Sequence, residues 1–275
     1  MSPSANTLLE NRVAVVLGAS SGIGWAIAER LAEHGARVVV AARRLENLEK
    51  LAARIHGVAV QCDGSSFSEL ETLANSTLDR FGSIDIAINS AGLNRPSPIK
   101  DITPDIMEEV AAIQFLGATY FMRHFCNAMA ASSGGSLINV TSATAIAVPI
   151  ALAPYAGCKA GINFITKIAA REYGPDQVRV NALAPSFVPT AMNGFGGMTS
   201  IDEARVEIDE NAPIAQGFLD ETPLDRIITV DECADVALFL ASDLSSSMTG
   251  QIIPVDGGNH LCRLPNFGPP RRRER

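Results

Sequence analysis

The chain has 275 residues, 47% of them apolar, with a formal net charge of −8 and a pI near 5.1. That length holds the core of one large α/β domain or two small ones, and the acidic balance argues against a nucleic-acid partner. Five scattered cysteines (Cys62, Cys126, Cys158, Cys233, Cys262) form no C-x-x-C pair, which argues against a disulfide framework or zinc site and for a reducing, cytoplasmic setting.

The opening MSPSANTLLENR has no basic segment followed by an apolar run, so no signal peptide is expected. Residues 1–10 read as an N-terminal arm. Arg12–Leu17 then reads as a strand and Gly22–His34 as a helix. A second strand is expected at Arg37–Ala41, a helix near Leu45–Ile55, a third strand at Val58–Cys62 and a helix near Ser68–Phe81. Ile84–Asn89 is a fourth strand, followed by one long helix from about Pro104 to Ala131. Ser136–Val140 is the fifth strand. The apolar stretch Ala143–Ala153 is short and interrupted by Pro149, so it cannot span a membrane. A helix near Pro154–Glu172, a strand at Val178–Ala184, a helix near Val230–Ala241 and a last strand at Ile252–Val255 complete the series.

The strands are apolar throughout rather than alternating, as expected when helices cover both faces of a parallel sheet. The regular βα alternation predicts a doubly wound, Rossmann-type α/β sheet, mostly seven-stranded and parallel, within one domain spanning 11–260. Ser186–Leu224 is the least regular region, and a loop of that length reads as a substrate lid. Residues 261–275 form a basic Pro/Arg-rich tail ending in Arg271, Arg272, Arg273 and Arg275, read as a solvated tail.

The first strand runs into Gly18-Ala-Ser20-Ser21-Gly22-Ile23-Gly24, which opens the first helix. Glycines there allow a tight turn and close backbone approach to a pyrophosphate, and the helix N-terminus supplies free N–H groups. The second strand ends in Arg43-Arg44 with no acid before Glu46. A carboxylate at that point would bind the ribose 2′-hydroxyl of NAD, whereas arginine pairs with a 2′-phosphate, which favours NADP(H) over NAD(H).

Ser142, Tyr155 and Lys159 are the candidate catalytic groups. Free tyrosine titrates near pH 10. A lysine ammonium at i+4, on the same helix face, is expected to favour tyrosinate, so that Tyr155 serves as acid for ketone reduction or base for alcohol oxidation. Ser142 can donate to the carbonyl oxygen as charge develops. His34, His56, His124 and His260 lie apart without ligand spacing, so no metal site is expected. Met122 and Met129 read as packing residues. The substrate side near Leu93, Ala143, Ile146, Pro149 and Phe187–Met198 is mostly apolar, which favours an uncharged ketone or alcohol.

In this order the motifs resemble the short-chain dehydrogenase/reductase family from Asn11 to Asn259. Gly18, Gly22 and Gly24 match its glycine motif. Cys62-Asp63, with Gly64 next, resembles its adenine-contacting segment, and Asn89-Ser90-Ala91-Gly92 its N-N-A-G segment. Ser142, Tyr155 and Lys159 match its catalytic residues. Val178-Arg179-Val180-Asn181 matches its sixth strand, Pro185, Val188 and Thr190 the segment around the nicotinamide carboxamide, and Gly250-Gln251 with Val255-Asp256-Gly257-Gly258 its C-terminal signature. The resemblance implies that Lys159 also reaches the nicotinamide ribose. It further implies a small-molecule carbonyl or alcohol substrate and a homo-oligomer, tetramer or dimer.

Four positions depart from the family pattern. Leu17 replaces Thr, Ser90 replaces Asn, Ser186 replaces Gly, and Gln114 stands where the family carries the Asn of a catalytic tetrad. Because the family uses mainly that residue's main-chain carbonyl, the proton relay is expected to survive at Gln114 in altered form. Gln114 and Ser186 leave room for a dinucleotide-binding regulator or scaffold without turnover, against which stand Ser142, Tyr155 and Lys159, none of which a sensor needs; a non-redox reaction on the same fold with retained cofactor is the other alternative.

Overall fold

The elements alternate as the apolar runs predict. In chain order they are β1 (Val13–Leu17), α1 (Gly22–Glu33), β2 (Arg37–Ala42), α2 (Leu45–Ile55), β3 (Val58–Gln61), α3 (Phe67–Phe81), β4 (Ile86–Asn89), α4 (Pro104–Ala111), α5 (Ala118–Ala130) and β5 (Gly135–Val140). They continue with α6 (Ala153–Tyr173), β6 (Val178–Pro185), β7 (Met198–Ser200), β8 (Val206–Ile208), α7 (Pro213–Leu219), α8 (Val230–Ala241) and β9 (Ile252–Val255). This is a computed structural model that describes residues 7–190, 198–200 and 202–262. Most of the N-terminal arm, nearly all of the basic tail and part of the Phe187–Met198 wall therefore lie outside the described residues.

Seven strands form one sheet in the order β3-β2-β1-β4-β5-β6-β9, every neighbouring pair parallel. All five residues of β1 are buried, because helices cover both of its faces. One apolar cluster joins the sheet to α1, α2 and α8, and a second joins it to α3, α5 and α6. The strand order reverses between β1 and β4, and the register sets Leu17 level with both Ala41 and Asn89. The carboxyl ends of these strands thus open on one crevice, at the topological switch point where doubly wound sheets bind ligands.

Two expectations need correction. The helix predicted over Pro104–Ala131 is not uniform, since Ala112–Gly117 between α4 and α5 is π-helical. The wider turn occurs where the chain passes a loop carbonyl: a Cβ on Gly117 would lie 2.1 Å from the Gly64 oxygen. The region 186–224 is also more regular than a loop. It contains the antiparallel hairpin β7–β8 and helix α7. Here Phe218 of α7 stacks on Phe187 with ring centroids 4.6 Å apart.

Candidate functional site

A cleft of about 960 Å³ opens at the carboxyl ends of the strands. Its floor at one end is the glycine-rich turn. Gly18 has φ +82, and a Cβ there would sit 2.4 Å from the Ala91 nitrogen, so only glycine allows the turn and the Ser90–Ala91 backbone to touch. Gly22, Ile23, Ser20 and Ser21 also line the cleft. Gly24 does not line it: a Cβ there would meet the Gly18 carbonyl at 2.4 Å, so its role is to let α1 close on the turn. Asn89 is likewise a support, its Oδ1 accepting from the Ala91 N–H at 3.1 Å.

The two arginines after β2 diverge. Arg44 turns onto the glycine loop and donates to Ser20 Oγ at 3.0 Å and to Ser21 Oγ at 2.6 Å. Asn47 fastens the same loop through the Ser20 carbonyl. The Arg43 side chain is exposed at the cleft edge and its carbonyl accepts from Gln61. Asp63 Oδ1 accepts from the Ser65 N–H and hydroxyl at 2.9 and 2.7 Å. Those bonds, with Arg43 nearby, hold its carboxyl below the usual carboxylate range. Gly64, Ala91 and Gly92 complete this end, and Pro185, Val188 and Thr190 also line the cleft, Thr190 beside Gly22.

At the other end, Ser142, Tyr155 and Lys159 converge on the same cleft. Ser142 lies two residues after β5, and its Oγ accepts from both the Thr144 N–H (3.2 Å) and the Thr144 hydroxyl (2.9 Å). With its acceptor positions filled, its own proton is free to be donated. Tyr155, half-buried in the first turn of α6, has its phenol pushed up by burial and pulled down by a hydrogen bond with Ser142. Lys159 is 7% exposed, donates to the Val140 carbonyl at 2.7 Å and lies 5.7 Å from the Tyr155 ring centroid. Burial pulls its ammonium down to about 8. The expectation that Lys159 lowers Tyr155 therefore needs correcting for the protein by itself: burial sets the direction, and Ser142 opposes it.

Gln114 sits in the π-helical turn, 1% exposed. Its Nε2 donates to the Leu93 carbonyl at 2.6 Å, and its Oε1 has no partner. The amide packs on Gly92, where a Cβ would come within 2.7 Å of Nε2. Ser186, in place of glycine, donates its hydroxyl to Asn259 Oδ1 at 2.7 Å and so ties the turn after β6 to the C-terminal loop.

Leu93, Ala143, Leu152, Phe187 and Phe218 make the remaining wall apolar. Ile146 and Pro149 do not line it, and Ile146 is 44% exposed. Arg95 is engaged with Glu109 at 2.9 Å, and Glu109 lines the rim. Thr144, Leu152 and Phe218 were missed in the sequence. Thr144 carried a faint signal, a hydroxyl two residues after Ser142, whereas Phe218 reaches the site only through the fold of region 186–224. Met122 and Met129 are buried packing residues. Among the described residues, no three His, Cys, Asp or Glu side chains gather as a metal-holding group, and no helix is long and apolar enough to cross a membrane.

A crevice at the switch point, a glycine turn with positive φ and a convergent Ser-Tyr-Lys set define a dinucleotide-binding oxidoreductase of Rossmann type. A family model described as enoyl-(acyl carrier protein) reductase matches residues 18–260. An uncharacterized oxidoreductase of Mycobacterium bovis is 33% identical over 259 residues, covering 93% of this chain and 99% of its own. A granaticin polyketide synthase putative ketoacyl reductase of Streptomyces violaceoruber is 34% identical over 257 residues, covering 92% and 97%. The crystal structure of a putative short-chain alcohol dehydrogenase from Sinorhizobium meliloti superimposes with a TM-score of 0.85 at 30% identity, covering 94% of this chain and 100% of that one. The chain belongs to the short-chain dehydrogenase/reductase family and is an oxidoreductase of that family. Its cofactor is a nicotinamide dinucleotide.

Proposed function

We propose that the protein is an NADP(H)-dependent reductase of a mainly apolar ketone, or dehydrogenase of the matching secondary alcohol. The observation that carries this reading is the convergence of Ser142, Tyr155 and Lys159 at one end of a cleft whose other end bears Arg44 over the glycine turn. The residues fit the group. The turn leaves no room for a Cβ at Gly18, and the Arg44 guanidinium beside two hydroxyls suits a 2′-phosphate.

When bound, the nicotinamide supplies or accepts the hydride. Ser142, its acceptor positions filled by Thr144, donates to the substrate carbonyl oxygen. Tyr155 gives that oxygen its proton as the carbon is reduced, and burial suits it to this acid role by keeping the phenol protonated at neutral pH. Ser142 steadies the resulting tyrosinate, and Lys159, buried beside it, returns a proton to it. The main-chain carbonyl of Gln114 continues the path toward solvent. In the reverse direction Tyr155 acts as base. Asp63 is assigned to the adenine, and Pro185, Val188 and Thr190 to the nicotinamide end.

The Phe187–Phe218 pair and Leu93, Ala143 and Leu152 favour an uncharged apolar body, and a polyketide-like ketone fits that wall. Exposed Phe164 (66%) and Ile168 (42%) on α6 support a homo-oligomer, tetramer or dimer. The described cysteines are all unpaired, in keeping with a reducing, cytoplasmic setting. Titrating the protein with NADPH and NADH tests the cofactor. Selective NADPH binding is expected, and selective NADH binding would reverse the assignment.

A further inference from the structure

The chain segment after β7 returns to the cofactor end at residues 202–205, where Arg205 is bracketed by three carboxylates. Its Nη2 and Nε donate to Asp231 Oδ1 and Oδ2 at 2.7 and 3.1 Å. Its Nη1 reaches Asp202 Oδ2 at 3.2 Å and Glu29 Oε2 at 3.3 Å. Glu29, 6% exposed on α1, also accepts from Trp25 Nε1 at 2.8 Å and pairs with Arg54 at 2.9 Å. A carboxylate this buried needs its partners, and Arg205 supplies one of them from outside α1.

The segment is folded as well as clamped. Asp202 Oδ1 accepts from the N–H groups of Ala204 and Arg205 at 2.7 and 2.6 Å. Ala204 is 1% exposed and joins the core cluster beneath α1 and α8. This tight turn places the Glu203 carbonyl on the Gly22 N–H at 2.9 Å. Gly22 is the first residue of α1, has φ +59, and packs so that a Cβ would meet Thr190 Cγ2 at 3.1 Å. The segment, the glycine turn and Thr190 are therefore one mechanical unit, whose outer fastening is Arg205.

We propose that Arg205 is a positioning residue for dinucleotide binding: by clamping residues 202–205 between Glu29 and Asp231, it keeps the Glu203 carbonyl on Gly22 and holds the glycine turn in its binding shape. The proposal rests on the nicotinamide reading of the cleft. A turn with two glycines at positive φ has other shapes open to it, and a tether that removes them lowers the ordering cost of binding. The turn is common to both cofactors, so the effect is blind to the 2′ position. That separates Arg205 from Arg44.

The molecule carries its own reporter. Trp25 is the only tryptophan, is 2% exposed, and hydrogen-bonds the same Glu29 that Arg205 holds. The test titrates wild type, Arg205→Met and Asp231→Asn with NADPH and with NADH, following Trp25 emission, and measures kcat at saturating cofactor. Arg205→Met is expected to raise both dissociation constants by a common factor of about ten, with kcat within about twofold of wild type. Its free-state Trp25 emission shifts and returns toward wild type when dinucleotide is added. Asp231→Asn, which leaves Glu29 paired, shows the same pattern more weakly and keeps the test open if Arg205→Met does not fold. Unchanged dissociation constants beside a lowered Tm would overturn the proposal and leave Arg205 a structural anchor, as would a loss confined to NADPH. If wild type binds neither dinucleotide, the nicotinamide reading falls and this proposal falls with it.

Discussion

Replacing Arg44 by alanine removes the only guanidinium that, among the described residues, hydrogen-bonds the glycine turn. The side chain donates to Ser20 Oγ at 3.0 and 3.2 Å and to Ser21 Oγ at 2.6 Å. Under the proposed assignment the same group would face the 2′-phosphate of bound NADPH. A hydrogen bond to a charged group contributes about 1.5–3 kcal/mol. The exposed position of Arg44 favours the lower end, on the order of tenfold in Kd at about 1.4 kcal/mol per decade. The lost bonds to Ser20 and Ser21 cost both cofactors alike, because they order the turn rather than the phosphate. NADH affinity should therefore fall by only about twofold, the effect of a solvent-screened contact at an exposed guanidinium. Fluorescence titration of both cofactors against wild type, Arg44→Ala and Arg43→Ala measures this. Arg43→Ala should weaken NADPH more than NADH but less than Arg44→Ala does. An equal loss for NADPH and NADH in Arg44→Ala would refute the 2′-phosphate assignment.

Other outcomes follow from the same geometry. Thr144→Val removes one of the two donors that aim Ser142 and should lower kcat about 5- to 10-fold with cofactor Kd unchanged, the loss of about one hydrogen bond; an unchanged kcat would separate Thr144 from catalysis. Gln114→Asn should change turnover less than about threefold, in keeping with a relay through the main chain, and much faster turnover would show that relay to be impaired in the native protein. Lys159 has its folded-state value lowered to about 8 from an ordinary 10.5. The folded protein then holds fewer protons than the unfolded chain between about pH 8 and 10.5, so wild type should gain stability relative to Lys159→Met as pH rises through that window, by about 3 kcal/mol at most. Urea denaturation at pH 7 and pH 10 reads the difference, and a gap that moves the other way would contradict the burial argument. Gly18→Ala should lower stability by at least about 2 kcal/mol through its left-handed φ and the approach to Ala91, seen as a fall in Tm.

Much of the frame was legible because it is written in local pattern. The five consecutive apolar residues of β1 can be buried only between two helical layers, and Gly18 just after them has no room for a side chain where the Ser90–Ala91 backbone stands against it. The element boundaries shifted by a residue or two, as helix and strand ends do. What was not legible depends on partners distant in sequence. The π-helical turn at Ala112–Gly117 has the same apolar density as an α-helix, and its setting is the approach of the Gly64 carbonyl. Arg43 and Arg44 are adjacent and alike; which one faces Ser20 follows from how the end of β2 is held beside β1, and no pattern in the residues reports it. The region 186–224 read as a loop because its hairpin is held by Arg205 across to Glu29 and Asp231, contacts with no local periodicity. Lys159 sits four residues after Tyr155, as the motif requires. Its depth behind the Val140 carbonyl, and hence the direction of its titration, came only from the packing of α6 on β5.

The Ser142–Tyr155–Lys159 end of the cleft is proposed to reduce an apolar ketone with NADPH. This is tested most directly by following NADPH consumption and alcohol formation across a panel of apolar ketones, with wild type beside Tyr155→Phe. Ketone-dependent turnover is expected in wild type and a loss of at least about a hundredfold in the variant, with NADPH affinity nearly intact. Tight NADPH binding with no turnover on any ketone, or equal turnover in both proteins, would contradict it.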